Sequence, residues 1–466
     1  MNPLTISIIG AGSAVFSLQL VSDLCKTPCL SKSVVRLMDI DTNRLEGVQF
    51  LATKLRNEFG AELAFEKTTD LEEAVCGADF VINTALVGGH PFLEKVRGIG
   101  EKHGYYRGID AQEFNMVSDY YTLSNWNQYG YFLKIARLME DTAPDAWLLL
   151  AANPVFEGTT LISRERKIKM VGFCHGHYDV ENVARCAGYG MNDIDWQVAG
   201  VNHGIWLTRF RKDGKDLSVY LNEYDRSHKA WKPETPFDLQ LSPAAFDMFR
   251  FYGVMPIGDT VRNTTWKYHY DHEVKMKWYG EPWGGADSPA GWAWYENRLG
   301  EIVEVIQQLT RGLKNHPEVK LTTVLETKKK KMPVAFSEQV ERILDPNSFS
   351  GEQHIPFIAA ITGQQPGRFI VNTLNRGNIG GIADDVAVEI PATVDAKGIH
   401  PEPIDPALPE KVIDWYLKPR IWRMERALEA FLKNDPGLLV EILMRDPRTR
   451  SQRQAESAIR EIMELK

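Results

Sequence analysis

The first forty residues constrain the fold more than any other part of the sequence. The stretch LTISIIGAGSAVFSLQLVSDLC predicts a buried strand over residues 4–9, a tight turn that contains Gly10, Gly12 and Ser13, and then a helix. A second apolar segment, SVVRLMDID, predicts another strand with Asp39 at its carboxyl end. Strand, glycine turn, helix, strand and terminal acid in this order indicate a βαβ unit of the Rossmann type.

This unit also predicts a ligand. Glycines at positions 10 and 12 let the backbone approach a pyrophosphate, and the helix that follows Ser13 offers free N–H groups and a positive dipole. Asp39 is placed to accept hydrogen bonds from both ribose hydroxyls, and its charge would repel a 2′-phosphate, which favours NAD over NADP. Val15 replaces the third glycine of the usual pattern, so a turn without a ligand is the structural alternative.

Two further apolar runs extend the predicted sheet. ADFVINTA (residues 78–85) and DAWLLLAANP (residues 145–154) have the length and continuity of strands buried on both faces. Asn83 and Asn153 then lie at the carboxyl ends of these strands, which is the edge where ligands bind in a doubly wound sheet. We therefore predict that both asparagines contribute to the cofactor site.

The chain is long enough for two domains. The predicted fold class is α/β, with a Rossmann-type doubly wound parallel sheet followed by a mixed α+β second domain. We place the NAD-binding domain at residues 1–200. Residues 201–466 would form a substrate-binding and oligomerisation domain that ends in helices.

A cysteine and a histidine close to these strands suggest a metal site. In IKMVGFCHGHYD, Cys174 follows a predicted strand of the same sheet, and in WQVAGVNHGIWL, His203 follows Asn202 inside an apolar segment. Thiolate and imidazole together suit Zn, Mn, Fe, Co or Ni, and two protein ligands would leave positions for substrate oxygens. The spacing is not that of a zinc finger, and each residue alone could equally be part of the core.

Composition excludes several function classes. The 466-residue chain has a formal net charge of −8, which disfavours nucleic acid, and its basic run KKKK at residues 328–331 is typical of a solvated helix end. No uncharged apolar run approaches the ~18 to 20 residues that span a bilayer. Five cysteines and no secretory-type N-terminus predict free thiols in a reducing environment. We expect a cytoplasmic globular protein with no nucleic-acid or membrane partner.

Several short motifs occur in an order that resembles glycoside hydrolase family 4. They are GAGS near the N-terminus, MDID after the second predicted strand, ANP at 152–154, CHGH at 174–177, GVNH at 200–203 and NRGNIGGIADDVAVEIP at 375–391. The resemblance runs from residue 1 to about residue 430. It implies a glycosidase that requires NAD, a divalent cation that is usually Mn²⁺, and reducing conditions. It also implies a homodimer or homotetramer.

The resemblance also implies a mechanism. NAD takes a hydride from C3 of the sugar, a base removes the C2 proton, the glycosidic oxygen leaves by elimination, water adds, and the hydride returns. Carried over to this chain, Cys174 and His203 resemble the ligands of a metal that holds the sugar oxygens, and Asn153 resembles an amide that orients the substrate. His175, beside the metal, would protonate the leaving oxygen.

The resemblance implies a base that removes the C2 proton, and more than one residue is a candidate for it. Asp259, in VMPIGDTVRN, lies where α-acting members of the family carry an aspartate base, although an aspartate here could also cap a helix. Tyr268 and Tyr270 are the nearby substitutes. Asp119, in FNMVSDYY, resembles a further acid on the substrate side of the site, with a helix-surface position as its structural alternative.

The residues after the metal-binding cysteine indicate the substrate class. In the family, asparagine or aspartate there accompanies 6-phosphoglycosides, histidine accompanies unphosphorylated sugars, and Cys-His-Gly resembles the α-uronidase group. The chain has His175 and Gly176, so we expect an α-galacturonidase, with α-glucuronidase next and an α-glucosidase or α-galactosidase as further alternatives. Arg262 is the candidate clamp for the uronate carboxylate.

Two other function classes stay open from sequence alone. A hydroxy-acid dehydrogenase of the lactate or malate type shares the predicted fold and has a histidine in a similar Asn-His-Gly setting, but it would need no metal. A non-catalytic NAD-sensing protein would use Cys174 and His203 only as core residues. Release of an aglycone without net formation of NADH would separate the glycosidase from both.

Overall fold

The predicted βαβ unit forms as expected. A computed structural model describes residues 3–109, 126–227, 231–263, 266–329 and 340–465. Strand β1 (Thr5–Ile9) leads through the glycine turn into helix α1 (Ala14–Cys25), and β2 (Val34–Met38) pairs with β1 in parallel.

The strands of the described ranges join one mixed sheet. In addition to β1 and β2, they are β3 (Ala64–Thr68), β4 (Phe80–Asn83), β5 (Trp147–Leu150), β6 (Lys169–Gly172), β7 (Asp195–Val201), β8 (Gly204–Lys212), β9 (Lys215–Asp216), β10 (Met255–Ile257), β11 (Gly367–Leu374), β12 (Ala387–Asp395) and β13 (Gly398–Pro401). Their order across the sheet is β10-β8-β7-β12-β11-β6-β5-β4-β1-β2-β3, with β13 on β12 and β9 on β8.

The sheet has two parts. The parallel half runs from β3 to β6 in the order β3-β2-β1-β4-β5-β6, which is the doubly wound order that the sequence predicts. The antiparallel extension consists of β11, β12, β7, β8 and β10. The α/β fold class is therefore confirmed. Residue 200 lies within β7, and the strands that follow it extend the first sheet; the division into two domains at this residue stays a prediction.

Helices cover the sheet and dominate the C-terminal region, as predicted. After α1 they span Thr42–Phe59, Leu71–Val75, Gly89–Lys102, Trp126–Thr142, Val155–Glu165, Val180–Cys186, Ser218–Arg226, Pro243–Tyr252, His272–Tyr279, Pro289–Asn315, Leu321–Lys329, His354–Ile361, Glu410–Val412, Lys418–Lys433, Gly437–Leu443 and Gln452–Met463. None of the helices in the ranges given above has both the length and the apolar character that a membrane span requires.

Both faces of the parallel half are buried, which explains its continuous apolar strands. In β4, Ile82 packs into the core that includes α1, and its neighbour Val81 packs into a second core on the opposite face. Leu149 and Leu148 in β5 divide in the same way, as the two-residue period of a strand requires. With both faces covered, the carboxyl edge of the strands is where polar side chains can converge.

Candidate active site

The glycine turn after β1 is held against the end of β2. The N–H of Gly12 donates to Asp39 Oδ2 at 2.7 Å, and the N–H groups of Gly10 and Ala11 both donate to the Met38 carbonyl at 2.9 Å. A Cβ on Gly12 would lie 2.6 Å from Asp39 Oδ2, so a larger residue there would displace the Asp39 carboxylate. Ser13 is exposed at the N-terminus of α1.

The two predicted asparagines lie at the same edge. The Oδ1 atom of Asn83 accepts from the Ala85 N–H at 3.1 Å, and its buried Nδ2 has no hydrogen-bond partner among the described residues. Asn153 follows β5, and its Oδ1 accepts weakly from the Val155 N–H at 3.4 Å. A tight glycine cradle, an acid at the end of β2 and an unused buried amide together fit a dinucleotide.

Cys174, His203 and Asp259 converge beyond the end of the parallel half. Cys174 lies two residues after β6, His203 lies in the turn between β7 and β8 with a left-handed φ of 54°, and Asp259 lies in a short helical turn after β10. One potential ligand atom from each of the three lies within 4.8 Å of the others. His203 Nε2 is 3.3 Å from Asp259 Oδ2.

This donor set fits a divalent transition-metal cation. Thiolate, imidazole and carboxylate oxygen are the side-chain groups that bind such ions, and three ligands leave coordination positions for a substrate. The sequence predicted Cys174 and His203 as the ligands and Asp259 as a base. The structure brings all three together, so the Asp259 carboxylate is placed either to join the cation or to accept a proton beside it.

A buried arginine adjoins this cluster. The Nη1 atom of Arg262 lies 3.3 Å from Asp259 Oδ1, one helical turn along the chain. Arg262 is itself buried and lies over the ring of Phe237, with the guanidinium carbon 5.0 Å from the ring centroid. A planar cation at the edge of the candidate metal cluster is suited to an anionic substrate group.

A second buried basic side chain, Lys275, lies near Arg262. Lys275 is 1% exposed, and its Nζ is 2.7 Å from His269 Nδ1, while the Tyr279 hydroxyl is 3.0 Å from the other ring nitrogen. Burial is the main cause that lowers the pKa of Lys275 to about 7; Asp287 opposes this shift, and the positive charges of Arg107 and Arg262 contribute to it. Arg262 and Lys275 therefore lie close enough for their charges to interact.

His175 has a partner that the sequence did not indicate. Its Nδ1 is 3.7 Å from Glu352 Oε1, and the other carboxylate oxygen is 3.7 Å from His354 Nδ1. The Glu352 carboxylate raises the pKa of His175, which favours the protonated ring, although the His175 side chain is 63% exposed and solvent screens the pair. Glu352 is far away in the chain and belongs to no motif, so no sequence signal identified it.

The other predicted site residues lie apart from the cluster or outside the described ranges. The Tyr268 hydroxyl donates to Asp247 Oδ2 at 2.7 Å, and Tyr270 is 45% exposed. Neither tyrosine belongs to the group formed by Cys174, His203 and Asp259. Asp119 lies outside the described residues, and its predicted role stays a prediction.

Family models match almost the whole chain. Residues 5–188 match the model described as family 4 glycosyl hydrolase, and residues 198–449 match the model of its C-terminal domain. The chain belongs to family 4 of the glycosyl hydrolases. The resemblance inferred from the motifs is therefore confirmed, and membership favours a glycosidase over the dehydrogenase and the non-catalytic NAD-sensing protein.

Several proteins that are named as glycosidases are similar to this chain. It is 25% identical over 500 aligned residues to an α-galacturonidase of Thermoanaerobacterium saccharolyticum, covering 100% of this chain and 96% of that one. An α-galacturonidase of Thermoanaerobacter italicus is 24% identical, with 95% and 91% covered. An α-galactosidase of Bacillus subtilis is 31% identical, but the match covers only 46% of this chain and 49% of the relative.

Solved structures of similar proteins share the fold of this family 4 hydrolase. The lplD protein of Bacillus subtilis superposes with a TM-score of 0.77 at 22% identity, over 99% of both chains. A 6-phospho-α-glucosidase from gut microorganisms, solved in complex with NAD and Mn²⁺, superposes with a TM-score of 0.72 at 16% identity, over 100% of this chain and 98% of that one.

Proposed function

We propose that this protein hydrolyses α-linked uronides with the help of NAD and a divalent cation such as Mn²⁺. α-Galacturonides are the favoured substrates and α-glucuronides the next. The observation that carries the proposal is the buried Arg262 guanidinium, 3.3 Å from Asp259 at the edge of the candidate metal cluster. A uronate differs from a neutral hexose by a planar carboxylate, and a guanidinium matches that group with two parallel hydrogen bonds.

Other observations support the same substrate class. Lys275 is a second buried basic group near Arg262, and a bound anion would favour its protonated form, which a neutral sugar would not. His175 directly follows Cys174, which the family pattern associates with unphosphorylated substrates. The two α-galacturonidases named above align over nearly the whole chain, whereas the α-galactosidase of Bacillus subtilis aligns over about half of it.

Two bound groups would supply chemistry that the side chains lack. Gly10, Gly12, Ser13, Asp39 and Asn83 would hold NAD, which supplies reversible hydride transfer to and from the sugar. Cys174 and His203, with Asp259 adjacent, would hold the cation, which supplies Lewis-acid polarisation of sugar oxygens. The cation also makes reduced Cys174 a requirement, because oxidised sulfur no longer binds metal.

The chain's own residues would then handle protons and orientation. Glu352 faces Nδ1 of His175, which leaves Nε2 as the atom that donates a proton to the leaving glycosidic oxygen. The carboxylate of Asp259 would accept the proton from C2 of the sugar. Asn153 would orient a sugar hydroxyl through its amide, and Arg262 would bind the uronate. Asp119 is proposed as a further acid on the substrate side.

A substrate panel tests the proposal. The protein is incubated with NAD, Mn²⁺ and a thiol on chromogenic α-galacturonide, α-glucuronide, α-galactoside and 6-phospho-α-glucoside, while aglycone release and NADH absorbance are recorded together. We expect the fastest aglycone release from the galacturonide, with no net NADH, and loss of activity when NAD or Mn²⁺ is omitted. Fastest turnover of the galactoside or the phosphoglucoside would refute the uronide assignment.

A further inference from the structure

A row of four paired residues crosses four neighbouring strands of the sheet, two to three residues before the segments that carry Cys174 and His203. Gly172 in β6 pairs with Asn372 in β11, Asn372 pairs with Glu389 in β12, and Glu389 pairs with Gly200 in β7. Cys174 lies two residues beyond one end of this row, and His203 lies three residues beyond the other. The β11–β12 pair therefore sets the spacing between the two segments that carry the predicted ligands.

Glu389 is a buried carboxylate in the middle of that row. Its side chain is 1% exposed, and Oε2 accepts hydrogen bonds from Asn202 Nδ2 at 2.9 Å and from Asn372 Nδ2 at 3.2 Å. Among the residues that the structure describes, no lysine, arginine or histidine forms an ion pair with it, and Oε1 has no hydrogen-bond partner. Burial raises the pKa of Glu389, while the Asn202 hydrogen bond and the nearby His203 lower it. A cation at the cluster would therefore favour the ionised carboxylate.

The hydrogen bond between Asn202 and Glu389 acts on the predicted ligand His203 through the backbone, because His203 is the next residue in the chain. Three other groups hold the same turn through its carbonyls. Arg420 donates to the Asn202 carbonyl at 3.1 Å, and the His203 carbonyl accepts from Asn263 at 3.2 Å and from Tyr416 at 3.3 Å. Glu389 differs from these three groups because it binds the side chain of Asn202 and not a backbone carbonyl of the turn.

The β6 side of the row is equally constrained. A Cβ on Gly172 would lie 2.9 Å from the Cβ of Asn372 and 2.6 Å from Val155 Cγ1, so β6 and β11 approach more closely than a side chain would allow. Asn372 therefore bridges the strand that leads to Cys174 and the carboxylate that holds Asn202.

We propose that Glu389 is a positioning residue for the divalent cation: it orients the His203 turn through Asn202 and, in its ionised form, adds negative charge beside that turn. This inference rests on the metal site of the proposed function. Residues that orient a metal ligand without touching the metal typically contribute ~10- to 100-fold to metal affinity, and the same range is expected for Glu389.

The test is Mn²⁺ binding to the full-length protein, measured by electron paramagnetic resonance of free Mn²⁺, with NAD affinity measured in parallel by fluorescence. E389Q keeps the shape and one acceptor but removes the charge. We expect its Kd for Mn²⁺ to rise by ~10- to 100-fold with the Kd for NAD unchanged. E402Q is the matched control, since Glu402 is a half-buried carboxylate of the same sheet region that pairs with Arg368.

A folded E389Q that binds Mn²⁺ as the wild type does would overturn the inference. If the wild type itself binds no Mn²⁺, the proposed metal site fails instead, so the two failures are distinguishable. Should E389Q not fold, the double variant N202D/E389Q keeps one carboxylate and one amide in the pair and tests whether their exchange preserves the site. We expect Mn²⁺ affinity close to that of the wild type in this variant, and loss of Mn²⁺ binding in the folded double variant would contradict the proposal.

Discussion

The two parts of the sheet build their sites in different ways. In the parallel half, the glycine turn and Asp39 come from one continuous stretch of chain, and the Gly12–Asp39 hydrogen bond joins its two ends. At the junction with the antiparallel extension, Cys174, His203 and Asp259 come from three separate segments that meet within 4.8 Å. One site depends on local sequence, and the other depends on how distant strands pair.

This difference predicts that the two sites can be damaged separately. A change in the glycine turn should weaken NAD binding and leave the cation site intact, because no residue is shared between them. A change at the junction should do the reverse. Two substitutions test this separation directly, a third tests substrate specificity at the junction, and a fourth tests stability; their expected effects on the two sites decrease in this order.

The largest effect is expected for Cys174→Ser. Loss of the thiolate removes a proposed metal ligand. We therefore expect kcat/KM on the preferred uronide to fall by more than the ~10- to 100-fold that a residue orienting such a ligand contributes. The Kd for NAD, measured by fluorescence titration, should not change. Cys76→Ser is the control, because Cys76 is an exposed free thiol. Equal loss of NAD affinity in C174S would show that the two sites are not separate.

Gly12→Ala should damage the other site. The new Cβ would lie 2.6 Å from Asp39 Oδ2, and strain of ~1 to 3 kcal/mol corresponds to a Kd for NAD raised by roughly 10- to 100-fold. The Kd for Mn²⁺ should stay at the wild-type value. Gly130→Ala is a matched control, since a Cβ at Gly130 would contact nothing within 4 Å. An unchanged Kd for NAD in G12A would argue against this turn as the pyrophosphate site.

Arg262→Lys tests substrate specificity at the junction. A lysine keeps the charge but loses the bidentate geometry, and one charge-assisted hydrogen bond contributes ~1.5 to 3 kcal/mol, so the ratio of uronide to neutral-glycoside activity should fall by roughly 10- to 100-fold. Steady-state kinetics on both substrates gives the ratio. A similar decrease on both substrates would assign Arg262 to the support of Asp259 instead.

The smallest effect on the two sites is expected for a substitution that changes stability instead, at a contact that joins the parallel half to the segment carrying Glu352. Asp23 in α1 is 1% exposed and accepts from the Ser350 N–H at 2.9 Å and from the Ser350 hydroxyl. Burial raises the pKa of Asp23 to about 6 from its usual 3.8. The folded protein therefore binds a proton more tightly than the unfolded chain, and stability should fall as pH rises from about 4 to about 6.

Asp23→Asn removes this titration. Its free energy of unfolding, measured with urea at several pH values, should lack the wild-type decrease, which amounts to at most roughly 3 kcal/mol. The part of the pH dependence that comes from other groups should be the same in both proteins. Parallel curves for D23N and the wild type across this pH range would contradict the raised pKa.

The same contrast explains what the sequence could predict. Strands β1, β2, β4, β5 and β6 and the helix α1 were predictable because apolar runs, glycines and terminal polar residues lie next to one another in the chain. The antiparallel pairing of β6 with β11 and of β7 with β12 has no local signal, so the extension of the sheet was not predicted. Family membership was inferred from ordered motifs, and the family models confirm it.

Some contacts of the candidate site join residues that are close in the chain, and others join residues that are far apart in it. Arg262 follows Asp259 by three residues in a helical turn, so their contact is local. Glu352 and Glu389 reach His175 and Asn202 only through the fold, and a buried glutamate in a strand cannot be distinguished by sequence from an exposed one. Long-range register, rather than residue type, decides which carboxylates lie near the cluster.

The most direct test of the central claim is an anomalous-difference map from crystals of the protein grown with NAD and Mn²⁺. We predict one strong peak among the Cys174 sulfur, the His203 imidazole and the Asp259 carboxylate. A structure with NAD bound but with Mn²⁺ absent from this position, or bound elsewhere, would contradict the account.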